Sequence, residues 1–361
     1  MTGPALAAGS ARALTEVYDV ALLDLDGVVY VGPDAVPGVP VALSAARRAG
    51  MRLGFVTNNA ARTPEEVAAH LTELEVPAES ADVITSSQAA ATVVAGLFEA
   101  GSPVLAVGGP GVAAALVAAG FTVVRTAEDE PVAVVQGYGR EVGWSQLAEA
   151  VVAVRNGARH VATNTDATIP SPRGRLPGNG AMVGVVSAVT GLAPLVTGKP
   201  DPAMHAECVR RTGARNPLVV GDRLDTDIEG AQRAGAASLL VLSGVTDPAT
   251  LLSAVPEQRP DLLALDAAGV LAAHPPVHSD GTAWRCGRWW VRPAEADDVL
   301  VLQAGPEAEA EADDGLDGLR ALCVGHWSRN SEAGAEVRVV AADDEAARAL
   351  HGWGIGARDR G

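Results

Sequence analysis

The sequence is poor in aromatic residues, although it is rich in apolar ones. Phe, Tyr and Trp make up 3% of the 361 residues, while 48% of the residues are hydrophobic. Any core must therefore be built mainly from Ala, Val and Leu. The chain exceeds the length at which one core usually keeps growing, so we expect two or three domains.

Cysteine is also scarce. Cys208, Cys286 and Cys323 lie far apart and form no pairing motif, which argues against a disulfide framework and against a zinc site. We expect each to be a reduced thiol in a cytoplasmic protein. The first twenty residues lack a cationic start followed by an apolar segment, so we predict no secretory signal.

Basic residues are outnumbered by acidic ones. The chain has 27 Lys and Arg against 44 Asp and Glu, a formal charge of -17. Such a charge repels both the backbone of nucleic acids and anionic membranes, so we expect neither as a partner. The longest uncharged stretches, 100–124 and 176–198, are interrupted by Gly and Pro and do not read as membrane spans. A small anionic substrate would need a locally positive site.

Short apolar runs alternate with helical patterns over most of the chain. This alternation predicts an α/β fold with a doubly wound, Rossmann-like parallel sheet. We place its core in residues 15–99 and 192–275, with an inserted α/β domain at 100–191. The glycine-rich stretch "GGPGVAA" in the insertion imitates a dinucleotide-binding loop but lacks the usual third glycine. We interpret it as the first strand-loop-helix of the insertion.

The character of the sequence changes near residue 275. Five of the six tryptophans follow residue 283, and "PEAEAEADDGLDG" is a low-complexity acidic tract. We predict a small α+β domain at 276–361 with a disordered or loop-like acidic insertion. Its tryptophans are interpreted as core or subunit-contact residues, and a homo-oligomer is possible.

Two aspartates end the first predicted strand, "DVALLDLDG". Asp24 and Asp26 are separated by roughly 6.6 Å along an extended strand, and a bend at Gly27 can bring their functional groups together around one centre. Ligands of doubly wound sheets bind at the carboxyl ends of the strands. A divalent metal would relieve the repulsion, and carboxylates suit Mg²⁺. Taken alone, however, the pair fits a simple turn equally well.

Polar groups follow three more predicted segments. These are "FVTNNA" with Thr57, Asn58 and Asn59, "TGKP" with Lys199, and "LVVGDRLDTDI" with Asp222 and Asp227. Each has an ordinary interpretation, such as a surface lysine or a helix N-cap at Asp227. The complete ordered set makes coincidence a poor explanation.

The four stretches together resemble the haloacid dehalogenase superfamily of aspartate-nucleophile phosphatases. The forms "DGVVY", "TNN" and "GDRLDTDI", with about 100 residues inserted between the second and third motifs, are similar to the NagD-like, p-nitrophenylphosphatase subgroup with a large cap. The resemblance covers residues 19 to about 270 and identifies the insertion as the cap.

The resemblance implies a role for each motif residue. Asp24 would be the nucleophile, and Asp26 would be the general acid and base. The metal would be bound by Asp24, by the main-chain carbonyl of Asp26 and by Asp222, with Asp227 as a partner of the metal waters or of Lys199. The expected phosphate-binding groups are Gly27, Val28, Thr57, Asn58, Asn59 and Lys199.

The polar loops "TNTDATIPSPRGRLPGNG" of the cap are the expected specificity surface. Asn164, Asp166, Asn179 and Gly180 are candidate substrate contacts, and an ordinary loop role is at least as probable for each. The whole chain, extension included, resembles bacterial glycerol-3-phosphate phosphatases, which makes glycerol 3-phosphate the first expected substrate. Phosphoglycolate, nucleoside monophosphates and pyridoxal phosphate stay open.

The tail faintly resembles the acetyltransferase-like extension of those enzymes. Its only near candidate for a pyrophosphate loop, "GWGIGARDRG", stands at the end of the sequence with no helix after it. We expect a structural or interface domain. A non-catalytic phosphate-sensing protein is the alternative to an enzyme.

Overall fold

The structure is a computed structural model that describes residues 5–169, 173–295, 298–306, 314–329 and 337–356. It divides into two compact units. The first contains residues 1–53 and 215–361, and the second contains residues 54–214. Most of the acidic tract, three residues of the predicted specificity loop and the final residues of "GWGIGARDRG" lie outside the described residues.

The described strands are β1 (Val20–Leu23), β2 (Tyr30–Val31), β3 (Asp34–Ala35), β4 (Arg52–Thr57), β5 (Val83–Thr85), β6 (Pro103–Val107), β7 (Thr122–Val124), β8 (Ala133–Gln136), β9 (Arg159–Ala162), β10 (Thr168–Ile169), β11 (Leu176–Pro177), β12 (Leu195–Val196), β13 (Pro217–Gly221), β14 (Ala237–Val241), β15 (Leu262–Ala264), β16 (His278–Ser279), β17 (Trp284–Cys286), β18 (Trp289–Pro293), β19 (Val299–Ala304) and β20 (Arg338–Ala341).

The described helices are α1 (Leu14–Val17), α2 (Val39–Arg48), α3 (Pro64–Glu73), α4 (Ser86–Leu97), α5 (Pro110–Ala118), α6 (Trp144–Arg155), α7 (Asn179–Thr190), α8 (Pro202–Thr212), α9 (Glu229–Ala234), α10 (Pro248–Leu252), α11 (Asp317–Arg329) and α12 (Asp344–Gly352). Their N-termini use standard caps where the sequence offers them. Thr63, for example, forms a capping box with Glu66 ahead of Pro64.

The first unit contains four parallel strands in the order β15-β14-β13-β1. All four residues of β1 are buried, as expected for a parallel strand covered on both faces. In β1 and β13, Leu23 lies opposite Val220, so the two strands end side by side. This register sets the position of the polar residues that follow each strand.

The second unit contains the parallel pair β4 and β5 and a five-stranded parallel sheet in the order β12-β9-β8-β6-β7. One apolar cluster packs this sheet against α4 and α5, and another packs its opposite face against α6 and α7. The parallel sheets flanked by helices confirm the predicted α/β class.

The glycine-rich stretch of the insertion has a packing explanation. A Cβ at Gly111 would lie 2.3 Å from the Arg62 carbonyl oxygen, and one at Gly109 would lie 2.7 Å from Ala61 Cα. Glycine therefore allows the start of α5 to approach the loop after β4. This close backbone contact accounts for both glycines without a nucleotide.

The C-terminal residues form a mixed sheet in the order β16-β17-β18-β19-β20, in which only β19 and β20 pair in parallel. Trp284, Trp289 and Trp327 are buried in one apolar cluster that also includes Leu251 and Leu263. The prediction that tryptophans build the core is therefore confirmed for these three. The extension and the neighbouring part of the first unit share one core.

Arg320 on α11 joins the two parts of this unit. Its guanidinium is 2% exposed and donates to Asp314, to Asp317 and, at 2.7 Å, to the Leu263 carbonyl oxygen. The carboxylates beside it raise the pKa of Arg320 against the opposing effect of burial. The buried cation is thus paired and tied to β15.

The three cysteines are free and buried. Burial raises the pKa of Cys208 to about 12 and raises the pKa values of Cys286 and Cys323 as well. A protonated, buried thiol is a poor nucleophile and a poor metal ligand. The cysteines therefore act as small core residues.

The predicted boundaries at 99/100 and 191/192 fall inside the second unit, and the boundary at 275/276 falls inside the first. The division into core, cap and extension therefore stays a prediction. No helix among the described residues is long and apolar enough to cross a membrane.

Replacement of Arg320 by Met tests the link between α11 and β15. The variant leaves Asp317 buried without its cation, so we expect the free energy of unfolding to fall by about 3–5 kcal/mol. Thermal unfolding followed by circular dichroism measures the change. Arg338→Met, at an exposed position on β20, is the matched control and should change the melting temperature little. Equal melting temperatures for the two variants would contradict the assigned role.

Candidate active site

Three carboxylates of the first unit form the most concentrated charge of the site. Asp24, Asp222 and Asp227 each offer an oxygen, and these oxygens lie within 4.8 Å of one another. Asp222 and Asp227 are buried and Asp24 is half-buried. Carboxylates this close repel one another strongly in a low-dielectric site, and a divalent cation offsets that repulsion.

The strand register explains why Asp24 and Asp222 meet. β1 ends at Leu23 and β13 ends at Gly221, and the amide of Asp24 donates to the Val220 carbonyl oxygen at 2.9 Å. Each aspartate thus directly follows a buried strand at one edge of the sheet. The two aspartates therefore lie together at this edge, and metal binding by them stays a prediction.

Asp227 joins them through a turn that the sequence pattern does not indicate. Residues Leu224–Ile228 form a single π-helical turn, and Asp227 Oδ2 accepts from the Arg223 amide at 3.2 Å. A Cβ at Gly221 would lie 2.2 Å from Asp227 Cβ, so glycine allows this close approach. Asp227 is not the N-cap of α9, because the cap position is Ile228.

Two further glycines surround the Asp222 carboxylate. A Cβ at Gly27 would lie 2.4 Å from Asp222 Oδ2, and one at Gly244 would lie 2.0 Å from the same atom. The Val245 amide donates to Asp222 Oδ2 at 2.7 Å, and the Ser243 hydroxyl donates to the Gly27 carbonyl oxygen at 2.7 Å. We call the residues around this carboxylate, Gly27, Ser243, Gly244 and Val245, the carboxylate cradle. A side chain at either glycine would collide with Asp222.

This cradle and its donor set fit a magnesium ion. Carboxylate oxygens are the ligands that Mg²⁺ prefers, and the three oxygens converge without any sulfur or imidazole donor in the group. The Asp26 side chain lies outside the group and is exposed. That position is compatible with the prediction that Asp26 binds the metal through its main-chain carbonyl and not through its carboxylate.

The turn after Asp26 includes two amides that are predicted to bind phosphate. Gly27 has φ +86°, as the predicted bend requires. Its amide donates to the Tyr30 carbonyl oxygen at 2.8 Å, however, and the Val28 amide donates to the Leu25 carbonyl oxygen at 3.3 Å. In this conformation both amides bind carbonyl oxygens of the turn, and phosphate binding by them stays a prediction.

A second group of predicted residues lies in the second unit and is centred on Asn58. Asn58 Oδ1 accepts from the Lys199 amide at 2.8 Å, and Asn58 Nδ2 donates to the Lys199 carbonyl oxygen at 3.0 Å. Thr57, at the end of β4, accepts from the Asn59 amide at 3.0 Å. Asn59 in turn accepts from the Ala61 amide at 2.9 Å. The Asn58 side chain thus fixes the backbone that carries Lys199.

The four candidate residues of the cap loops lie around the same centre. Asn164 Nδ2 donates to the Asn58 carbonyl oxygen at 2.7 Å, and Asn58 Nδ2 lies 3.4 Å from Asp166 Oδ2. Asn179 Nδ2 donates to the Asn164 carbonyl oxygen at 2.8 Å, and the Gly180 amide donates to the Asp166 carbonyl oxygen at 2.9 Å. Asn164 and Asn179 are buried, so their contacts favour a role in holding the loops.

Sequence reasoning missed Ser243, Gly244 and the backbone of Val245. These residues follow β14, the strand next to β13. The signal was present, since "LSGV" places a hydroxyl and a glycine after an apolar strand of the same parallel sheet. Because "LSGV" contains no charged residue, it was interpreted only as the end of the strand.

Comparisons with known proteins identify the family. Residues 21–122 match the haloacid dehalogenase-like hydrolase family, residues 196–269 match the HAD-hydrolase-like family, and residues 286–355 match the GCN5-related N-acetyltransferase like domain. The chain is 42% identical to the D-glycerol 3-phosphate phosphatase of Mycobacterium tuberculosis over 95% of its own length and 96% of the relative's. The chain belongs to the haloacid dehalogenase-like hydrolases.

Solved structures agree with this membership. A crystal structure of glycerol phosphate phosphatase from M. tuberculosis in complex with magnesium superposes with a TM-score of 0.84 at 40% identity, covering 95% of this chain and 99% of that one. The p-nitrophenyl phosphatase of Archaeoglobus fulgidus covers 70% of this chain and 98% of its own, with a TM-score of 0.66 at 26% identity. The predicted superfamily, its large-cap subgroup and the acetyltransferase-like extension are confirmed.

Replacement of Gly244 by Ala tests the carboxylate cradle. The new methyl group would displace Asp222, so we expect the affinity for Mg²⁺ to fall about tenfold or more. Titration calorimetry with the metal alone measures the affinity. Gly352→Ala is the control, because a Cβ there meets nothing within 4 Å. Unchanged Mg²⁺ affinity in the Gly244 variant would show that Asp222 is not a ligand.

Proposed function

We propose that this chain is a Mg²⁺-dependent phosphatase that hydrolyses small phosphate monoesters, with glycerol 3-phosphate as the principal substrate. The observation that carries the proposal is the convergence of three carboxylates: Asp24 and Asp222 follow two paired strands, and Asp227 lies in the turn after the second of them. The relative that matches almost the whole chain, extension included, is named as a D-glycerol 3-phosphate phosphatase.

Asp24 is the proposed nucleophile. One carboxylate oxygen forms a bond to phosphorus while the bond from phosphorus to the ester oxygen breaks, which leaves an aspartyl phosphate and an alkoxide. Asp26 gives its proton to that alkoxide. It then accepts a proton from the water that attacks the phosphorus, and inorganic phosphate leaves Asp24 free. Splitting the reaction into two displacements lowers a barrier that is very high for the uncatalysed ester.

The environment of Asp26 suits this exchange of protons. Its side chain is exposed and stands outside the group of three carboxylates. A carboxyl group that must be protonated in one step and ionised in the next needs access to solvent, with which it can exchange its proton. In this proposal Asp24 attacks phosphorus and Asp26 transfers the protons, although the two residues are only two positions apart.

We assign the metal to Asp24, Asp222 and the main-chain carbonyl of Asp26, with Asp227 as a further carboxylate beside it. When bound, the ion supplies positive charge that offsets the carboxylates and the phosphoryl oxygens. Lys199 and Thr57 bind the phosphoryl oxygens in this proposal, the former as a point charge and the latter as a hydroxyl donor. The side-chain amides of Asn58 and Asn59 position the loops in this proposal, since the oxygen of each already accepts from a backbone amide.

The extension is proposed to be structural. Residues 317–327 of α11 are buried, and Trp327 Nε1 donates to the Leu252 carbonyl oxygen at 3.1 Å. A pyrophosphate site needs exposed amides and basic residues at a helix N-terminus. The start of α11 instead has Asp314 and Asp317, which repel an anion and pair with Arg320. Acyl-coenzyme A binding is therefore not part of the proposal.

The change Asp24→Asn tests the nucleophile. The amide cannot attack phosphorus, so we expect turnover of glycerol 3-phosphate to fall by about a thousandfold or more, with the fold intact. Phosphate release and circular dichroism measure the two properties. Asp344→Asn, at an exposed position on α12, should retain full activity. Full turnover by the Asp24 variant would refute the assignment.

A panel of phosphate esters tests the substrate. We expect glycerol 3-phosphate to give the highest kcat/KM, and we expect a chelator to stop release until Mg²⁺ is restored. Phosphoglycolate, a nucleoside monophosphate and pyridoxal phosphate are the competitors. A higher kcat/KM for any of them would support phosphatase activity but refute glycerol 3-phosphate as the principal substrate. Absence of turnover with every ester would favour the phosphate-sensing alternative.

A further inference from the structure

Two polar side chains are buried on the face of the five-stranded sheet that packs against α6 and α7. Gln136 ends β8 and His160 lies in β9, and their exposed fractions are 0% and 3%. Val134, two residues before Gln136 and therefore on the same face, packs in the cluster that contains Val186 of α7. His160 Nε2 and Gln136 Oε1 are 3.0 Å apart. A polar pair thus replaces apolar packing at this point of the layer.

The pair leaves polar atoms to be satisfied. Burial lowers the pKa of His160 to about 4, so the ring is neutral near pH 7. Because Gln136 Oε1 only accepts, Nε2 of His160 carries the hydrogen and Nδ1 is an acceptor. Within the described part of the chain, His160 Nδ1, Gln136 Nε2 and Asn179 Oδ1 have no hydrogen-bond partner. Two acceptors and one donor in one buried layer are what enclosed water can bridge.

Asn179, the first residue of α7, connects this layer to the residues of the candidate site. Its Nδ2 donates to the Gln136 carbonyl oxygen at 3.3 Å and to the Asn164 carbonyl oxygen at 2.8 Å. Asn164 Nδ2 donates to the Asn58 carbonyl oxygen, and Asn58 is bonded to both backbone groups of Lys199. A series of hydrogen-bonded residues, all within the second unit, therefore links the buried histidine to the lysine. Within Gln136, Asn164 and Asn58 the link passes through covalent bonds, between the backbone carbonyl and the side chain.

We propose that Gln136 and His160 are positioning residues. Together with enclosed water they fix the Asn179 side chain, and through Asn164 and Asn58 they fix the backbone at Lys199. The enclosed water accepts from Gln136 Nε2 and donates to Asn179 Oδ1 and His160 Nδ1. The pair touches no substrate in this proposal. Its effect on phosphate binding rests on the proposed function, whereas its effect on the Lys199 backbone does not.

Hydrogen exchange measures the effect on the backbone. In His160→Leu, which keeps the volume and removes both nitrogens, we expect the peptide containing the Lys199 amide to exchange about three- to tenfold faster, the factor that one net hydrogen bond supplies. His160→Gln restores a donor and an acceptor and should recover most of the protection. Gln136→Leu removes the other half of the pair and should match His160→Leu.

Val186→Ala is the matched control. It removes apolar packing under the same helix without touching the polar pair, so it should lower the melting temperature with little change at the Lys199 amide. Equal acceleration at that amide in Val186→Ala and in His160→Leu, or none in either polar variant, would overturn the proposal.

Inorganic phosphate binding in the presence of Mg²⁺ gives the functional readout. We expect the Kd from calorimetry to rise about three- to tenfold in His160→Leu and less than about twofold in Val186→Ala. Absence of ester hydrolysis by the wild-type protein would refute the proposed function but leave the exchange result standing. Normal hydrolysis with equal Kd changes in the two variants would refute the positioning role alone.

Discussion

The repulsion among Asp24, Asp222 and Asp227 is the constraint on which the site depends. Three carboxylate oxygens within 4.8 Å of one another, two of them on buried residues, are costly without a cation. The fold imposes this cost through the register of β1 and β13 and through glycines that admit no side chain beside Asp222. A divalent cation bound by these residues, as proposed, would offset the repulsion and attract an anion.

The same constraint reconciles the charge of the chain with its substrate. A formal charge of -17 opposes the approach of a phosphate ester. In the proposed site a bound divalent cation would offset the local negative charge. Within the second unit, the backbone of Lys199 is held by a side chain that has no net charge, Asn58. Asn58 thus adds no charge of its own beside that backbone.

Much of this arrangement can be predicted from the sequence, because the ends of buried strands can be recognised there. Asp24 and Asp222 each follow a buried apolar run, and parallel strands bring their carboxyl ends to one edge. Asp227 was expected only from the resemblance to the family, and Gly244 was missed. The former depends on a π-helical turn, and the latter depends on which strand neighbours β13. The sequence also does not show that the amides of Gly27 and Val28 bind carbonyl oxygens of their own turn.

The buried pair Gln136 and His160 shows a second feature that the sequence does not predict. Gln136 and His160 stand in runs that predict strands, and their pairing appears only when β8 and β9 align. The C-terminal extension shows the opposite case. Its tryptophans indicated a core from composition alone, and three of them are buried in a cluster shared with the rest of the first unit.

The central claim is that phosphate passes through Asp24, and trapping that intermediate tests it most directly. Rapid mixing with glycerol 3-phosphate and Mg²⁺, followed by denaturation and borohydride reduction, converts an aspartyl phosphate into homoserine, which peptide mass spectrometry locates. We predict homoserine at position 24 that depends on substrate. Turnover with no modified residue, or modification at another aspartate, would contradict the claim.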